Sequence, residues 1–341
     1  MKHPSVPYAG FSIAASALIL GLSGCTCAPR AAVGQRLERR GDEIMVCGQL
    51  FHTGTPVVLW TDPGGYDAYR VERRFSPPEQ SSWEASSATL QTPNRYGLRD
   101  VADPAQFERV RGGGWALPEL QRTVDQFVIH YDVCGTSQRC FRVLHDMRGL
   151  SVHFMLDLDG TIYQTLDLKE RAWHATKANS RSVGIEIANI GAYPPGDATL
   201  TRWYTHDGAG LRMVIPGDGG VRTPGFVARP ARPQPVRGVV QGQRLEMYDL
   251  TDAQYDALIH LTAALTQIFP LIACDYPRDA QGALVQGVLS EEEWEGFAGV
   301  LGHFHVQQNK VDPGPAFDWD RVIDGAAELR GVRSRQSARP R

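Results

Sequence analysis

Three short apolar runs and one capped helix constrain the fold before any chemistry is considered. Phe127-Val128-Ile129 leads directly into His130. Val152 to Leu158 alternates in a strand pattern, Asp159-Gly160 supplies a hairpin turn, and Thr161 to Thr165 returns. Val183 to Ile187 is a further strand, with Val183, Ile185 and Ile187 on one face and Gly184 and Glu186 on the other. Thr251 then caps a helix. Gln254 completes a capping box, Tyr255, Leu258, Ile259, Thr262 and Leu265 recur at helical spacing, and Pro270 stops it. Strands interleaved with helices predict an α/β fold around a central sheet.

The chain of 341 residues has room for one large domain or two modest ones. The sheet-bearing domain is expected over 115–325, with an insertion dense in Gly, Pro and Arg at 192–249. Over 44–114, short apolar runs such as Val57-Val58-Leu59-Trp60 alternate with Gly and Pro turns, which predicts a small β-rich N-terminal module or elaboration. Residues 25–43 read as a polar tether and 326–341 as a disordered basic tail. A net charge of −3 gives none of the basic field that a nucleic-acid partner requires.

The start of the chain speaks to location. Lys2 and His3 precede an apolar run from Phe11 to Leu22, too short for a membrane span and suited to a signal-peptide core. Leu22-Ser23-Gly24-Cys25 resembles a bacterial lipoprotein signal over 1–24, which implies lipidation of Cys25 and a membrane anchor. An ordinary secretory signal is the alternative, and both place the mature protein outside the cytoplasm. Thr26 after the cysteine resembles signals that sort to the periplasmic face of the outer membrane. In that oxidising setting Cys134 and Cys140 are spaced for a local disulfide, and Cys47 and Cys274 remain open to pairing.

A catalytic zinc takes three protein ligands and leaves one position for water. His130 ends its strand, and a second group lies in Gly302-His-Phe-His-Val-Gln-Gln-Asn-Lys-Val-Asp-Pro-Gly-Pro, where His303 and Asp312 are the ligand candidates. Lys310 and Asp312 are two residues apart before Pro313, which favours extended backbone. Both side chains then project to one side, so one holds a metal while the other faces a reacting group.

Several motifs follow one another in order: Phe-Val-Ile-His130, the Asp-Gly hairpin with Ile162-Tyr163, and Ala172-Trp173-His174-Ala175. Asn179 with Ser182-Val-Gly-Ile-Glu186, Gly302-His303 and Lys310-Val-Asp312-Pro-Gly-Pro-Ala-Phe-Asp-Trp319 complete the series. Together they resemble the zinc-dependent N-acetylmuramoyl-L-alanine amidases related to peptidoglycan recognition proteins. The resemblance implies that family's mixed sheet flanked by helices and one Zn2+ held by His130, His303 and Asp312. It implies Glu186 as general base and Lys310 as the group that stabilises the transition state. Trp173, His174, Asn179 and His153 would line the substrate groove or stand behind the ligands. The implied reaction is hydrolysis of the amide between N-acetylmuramic acid and L-alanine in peptidoglycan or muropeptides, by a monomer, in wall remodelling or recycling. Cys134 and Cys140 resemble a disulfide of the recognition-protein branch.

Two departures bear on the chemistry. Val152 stands where phage-type relatives carry a catalytic tyrosine, so proton transfer must rest on Glu186. The spacing from His303 to Asp312 is one residue shorter than in the cytoplasmic recycling amidases, and His305 offers a competing imidazole that would point the same way in extended backbone. His303 is favoured because it follows Gly302. His52, His145, His206 and His260 have no motif around them. The rival readings are a non-catalytic peptidoglycan-binding receptor of the same fold, which typically lacks a ligand, and a zinc peptidase cutting the stem peptide.

Overall fold

The computed structural model describes residues 32–87, 90, 94–217 and 219–332, together with Met1. The expected signal segment beyond Met1, Cys25, Cys27 and residues 333–341 lie outside the described residues. Contacts divide the chain into Met1–Glu38 and Arg39–Arg341, and every element below belongs to the second unit. Among the described residues, no helix is long and apolar enough to cross a membrane.

The chain begins with a hairpin of β1 (Glu43–Val46) and β2 (Gln49–His52). The sheet strands that follow are β3 (Val57–Leu59), β4 (Gln126–Tyr131), β5 (Phe154–Leu156), β6 (Ile162–Gln164) and β7 (Ser182–Ile187). Two further hairpins pair β8 (Tyr204–Asp207) with β9 (Gly210–Met213), and β10 (Val236–Val240) with β11 (Gln243–Met247). A last strand, β12 (Gly299–Gly302), returns to the sheet.

The six-stranded sheet has the order β12-β4-β7-β5-β6-β3. Its first four strands are parallel, β6 runs antiparallel to β5, and β3 lies parallel to β6. This is the expected mixed α/β sheet. Phe127, Ile129, Val183, Ile185 and Ile187 bury against the helix Asp252–Ile268 through Tyr255, Leu258, Leu261 and Leu265. Each such side chain contributes about 1.5–3 kcal/mol when fully buried. The capping box forms as the sequence requires: the Gln254 N–H donates to Thr251 Oγ1 at 3.1 Å, and the Thr251 N–H donates to Gln254 Oε1 at 3.0 Å. The helix Trp319–Leu329 packs beside it so closely at Gly325 that an added Cβ would lie 2.9 Å from Ile259.

Several expected boundaries shift. Residues 44–114 are not a module apart, because β3 is the edge strand of the main sheet and Ile44 and Val46 join the main core. A three-residue strand cannot bury a face by itself, so it completes the sheet beside it. After Leu59 this segment carries short helices, such as Pro104–Val110 capped by Asp103, rather than a β-rich array. The fold also starts before 44, since Arg39 pairs with both Glu43 and Asp62. At the other end the helix runs to Leu329, burying Ala326 and Ala327, so the tail does not begin at 326.

The insertion is folded. It holds a helix at Ala198–Trp203 and both later hairpins, with Tyr204, Leu211 and Met213 packed on Leu158, Ala188 and Ile190. Cys47 and Cys274 occupy different surroundings, the first beside Asp167 and the second against the Ile323 carbonyl, and both are free thiols.

Candidate metal centre and substrate groove

Strand register assembles the site. His130 on β4 is the Cα partner of Glu186 on β7, and Gly302 at the end of β12 is the partner of Ile129. Parallel strands therefore deliver His130, Glu186 and His303 to one end of the sheet, where β4, β7 and β12 finish. His130 Nδ1 lies 2.9 Å from His303 Nδ1 and 2.9 Å from Asp312 Oδ2, and His303 Nδ1 lies 3.0 Å from the same oxygen. These three residues are all buried.

The donors fit a metal ion. A tetrahedral centre with bonds of ~2.0–2.1 Å has donor–donor edges of ~3.3 Å, close to this triangle. Gln307 Oε1 accepts from His303 Nε2 at 2.5 Å, so in the neutral ring Nδ1 presents its lone pair to Asp312. A cation satisfies that edge, whereas the neutral imidazole has no proton to place there. His130 is pushed down to about 4 by burial and by His303. Burial would raise Asp312, but His303 and His130 hold it below the usual carboxylate range. The triad thus pairs a carboxylate with a neutral imidazole at His130.

His305 is not part of it. His303–Val306 is a helical turn rather than extended chain, so residues two apart point in different directions. The Gly302 N–H donates to His305 Nδ1 at 2.9 Å, and His305 Nε2 donates to the Val285 carbonyl at 2.8 Å. Both of its nitrogens are engaged. Lys310 lies at the groove with Asp312, on a turn rather than a strand.

Behind His130, its Nε2 meets His174 Nδ1 at 3.0 Å, and His174 Nε2 meets Ser182 Oγ at 3.2 Å. The His174 ring lies so close over β7 that a Cβ at Gly184 would stand 2.4 Å from Nδ1, which explains glycine at that position. Burial and His130 keep His174 far below its ordinary value, hence neutral. Two expected groove residues are elsewhere. Asn179 is buried, and its Oδ1 accepts from the N–H groups of His174 and Ala175 at 3.1 and 2.7 Å, so it shapes the loop. His153 is fully buried beneath the sheet edge, accepting from the Gly184 N–H at Nδ1 and bonding the Glu170 carbonyl through Nε2. Neither lines the groove, because the backbone groups around them consume their polar atoms.

The groove has a volume near 180 Å³ and is lined by Trp173, His174, Glu186, Lys310, Arg148 and the ligands, among others. Glu186 is raised far above 4.5 by burial and then by the facing carboxylates Asp312 and Asp132. A divalent cation held by the ligands would offset this repulsion and favour the ionised form of Glu186. Trp173 packs against the Arg171 guanidinium at 4.6 Å, and its indole N–H has no partner among the described residues. The expected bond between Cys134 and Cys140 is not formed; both are free thiols on the groove wall.

Other features do not compete. A larger cavity, near 860 Å³, lies around Cys274, Arg278 and Trp319, and among the described residues it contains no such donor set. Asp42, Glu43 and His52 also cluster, yet their carboxylates are bound by the N–H groups of Gly54, Arg40 and Gly41. Sequence reasoning missed Ser182 and Gln307. A helical reading of 303–306 would have exposed Gln307, four residues after His303.

Two imidazoles and a carboxylate on a mixed sheet, beside a second carboxylate and a lysine, have the make-up of a mononuclear metal-hydrolase centre. The chain belongs to the N-acetylmuramoyl-L-alanine amidase family, whose model matches residues 120–315. Among solved structures, a selenomethionine derivative of AmpD is 18% identical with a TM-score of 0.32, covering 69% of this chain and 92% of that one. A complex of the E. coli N-acetylmuramyl-L-alanine amidase AmiD with anhydro-N-acetylmuramic acid-L-Ala-D-gamma-Glu-L-Lys is 18% identical, with a TM-score of 0.34. That match covers 62% of this chain and 59% of AmiD. A Drosophila peptidoglycan recognition protein, PGRP-SA, is 17% identical with a TM-score of 0.27, covering 56% and 73%. No curated protein matches the sequence.

Proposed function

We propose that this protein is a zinc-dependent amidase that hydrolyses the bond between N-acetylmuramic acid and L-alanine in peptidoglycan or its fragments. The observation that carries this reading is the His130–His303–Asp312 triangle standing beside Glu186 and Lys310 within the region that matches the family. His130 Nδ1, His303 Nδ1 and Asp312 Oδ2 would hold Zn2+, which when bound acidifies water and polarises a carbonyl. Glu186, ionised once a bound cation offsets the facing carboxylates, would accept the proton of the attacking water. The Lys310 ammonium stabilises charge developing on the amide oxygen. His174 and Gln307 keep the two imidazoles oriented.

Metal analysis together with mass spectrometry of digested peptidoglycan tests this. The expected result is about one zinc per chain and release of peptides that begin with L-alanine, abolished by chelation and restored by zinc. Glu186→Gln should keep the zinc and lose at least about a hundredfold in turnover. Zinc binding without any cleavage would instead assign a receptor, and cleavage within the stem peptide a peptidase.

We also propose that the chain is an exported lipoprotein anchored through Cys25. The apolar run from Phe11 to Leu22 followed by Leu22-Ser23-Gly24-Cys25 supports this reading. Cys25→Ser should move the protein from the membrane to the soluble fraction with amidase activity intact; continued membrane fractionation would refute the anchor.

A further inference from the structure

The hairpin β10–β11 leans on the loop that carries the late ligands. A Cβ at Gly238 would meet Pro315 at 2.7 Å, and one at Gly314 would lie 2.6 Å from Met247 Sδ, so strand and loop are in direct contact. The hairpin turns through Gln241 and Gly242, both left-handed at φ of 52° and 73°. A two-residue turn of this kind suits strand twist and favours asparagine, not glutamine, at its first position. Here the longer side chain is used. Gln241 Nε2 donates to the carbonyls of Phe304 at 2.7 Å and Gln307 at 3.1 Å, while Oε1 accepts from the Val288 N–H at 3.2 Å.

Phe304 and Gln307 flank the turn that begins with His303. The Phe304 N–H donates to the Asp312 carbonyl at 3.2 Å, and the Gln307 N–H donates to the His303 carbonyl at 3.0 Å. Gln307 Oε1 in turn receives His303 Nε2. We propose that Gln241 is a positioning residue for the metal centre: from the insertion it fixes Gln307, and through Gln307 the tautomer and aim of His303. The inference rests on the zinc reading above and gives the insertion a role in it.

Gln241→Asn is the test, because it keeps the amide and suits the turn better, yet is one methylene too short to reach both carbonyls. Zinc affinity is measured by competition with a chelator, thermal stability on metal-free protein, and backbone hydrogen exchange over 303–307. The expected result is zinc binding weakened about tenfold, the scale for a lost partner of a ligand. Metal-free Tm should be unchanged or higher, and exchange at Phe304 and Gln307 faster, with 204–213 unaffected. Unchanged zinc affinity overturns the proposal, and so does a lower metal-free Tm, which would assign Gln241 to holding the fold. If the unsubstituted protein binds no zinc, the zinc reading itself fails. Exchange then decides the brace alone: faster over 303–307 upholds it and unchanged exchange overturns it.

Discussion

At His303 the chain leaves β12 and turns helical, and this single change of backbone separates two imidazoles that an extended chain would present together. His303 turns its Nδ1 to His130 and Asp312, whereas His305 ties Gly302 to Val285. His303→Ala should therefore lose more zinc affinity than the ~10–100-fold typical of outer partners. His305→Ala should retain stoichiometric zinc but lose about 1–3 kcal/mol of stability, because a buried N–H and a buried carbonyl lose their partner. Zinc content and denaturant unfolding of the two purified variants check both statements, and the reverse pattern would move the ligand to His305. Residue types at the centre were legible from motif order, since a metal needs particular donor atoms. The geometric separation of two nearby histidines was not, because it depends on a helical turn that residue spacing does not encode.

At the level of elements, the connection between β5 and β6 holds a buried charge. Asp157 Oδ1 accepts from the N–H groups of Leu158 and Ser137, but Oδ2 has no partner among the described residues. Burial raises this carboxyl to about 7. Because the folded value lies above the unfolded one, near 3.8, the folded state holds a proton that the unfolded state releases. The penalty is absent at low pH, grows as pH rises from about 4 to about 7, and is complete above that. Asp157→Asn should stabilise the protein by up to about 4 kcal/mol at pH 8, each tenfold change in proton affinity being worth ~1.4 kcal/mol, with little gain at pH 4. Thermal melts at the two pH values read this directly, and an equal effect at both would show that charge burial is not the cause. The strand–turn–strand pattern around Asp159-Gly160 was legible from alternation and turn chemistry. The environment of Asp157 was not, because Tyr66 and Tyr163, stacked at 4.1 Å nearby, come from opposite sides of a long sequence gap.

Across the whole molecule, the segment before Trp115 is part of the amidase fold. Arg99 is fully buried and donates to the carbonyls of Ser180, Ser182 and Leu168, with His153 at 3.2 Å, so an N-terminal residue fastens the loop that ends in β7. A chain truncated to begin at Trp115 should consequently fail to fold cooperatively, losing β3, the Ile44 and Val46 packing and this clamp together. Near-UV circular dichroism and a thermal melt on the truncated chain check it, and a sharp native transition would restore the idea of a separable module. The sequence by itself determined the chemistry on offer: which imidazoles, carboxylates and ammonium the chain carries, which runs form strands, and where the long helix starts. Those properties depend on residue type and on spacings of a few residues, which local physics reads. The tertiary structure alone decided which donors meet, that His153 and Asn179 face inward, and that the N-terminal segment and the insertion support the site. Those outcomes depend on distances between residues tens to hundreds of positions apart, fixed by parallel strand register and by which backbone groups each buried side chain must satisfy.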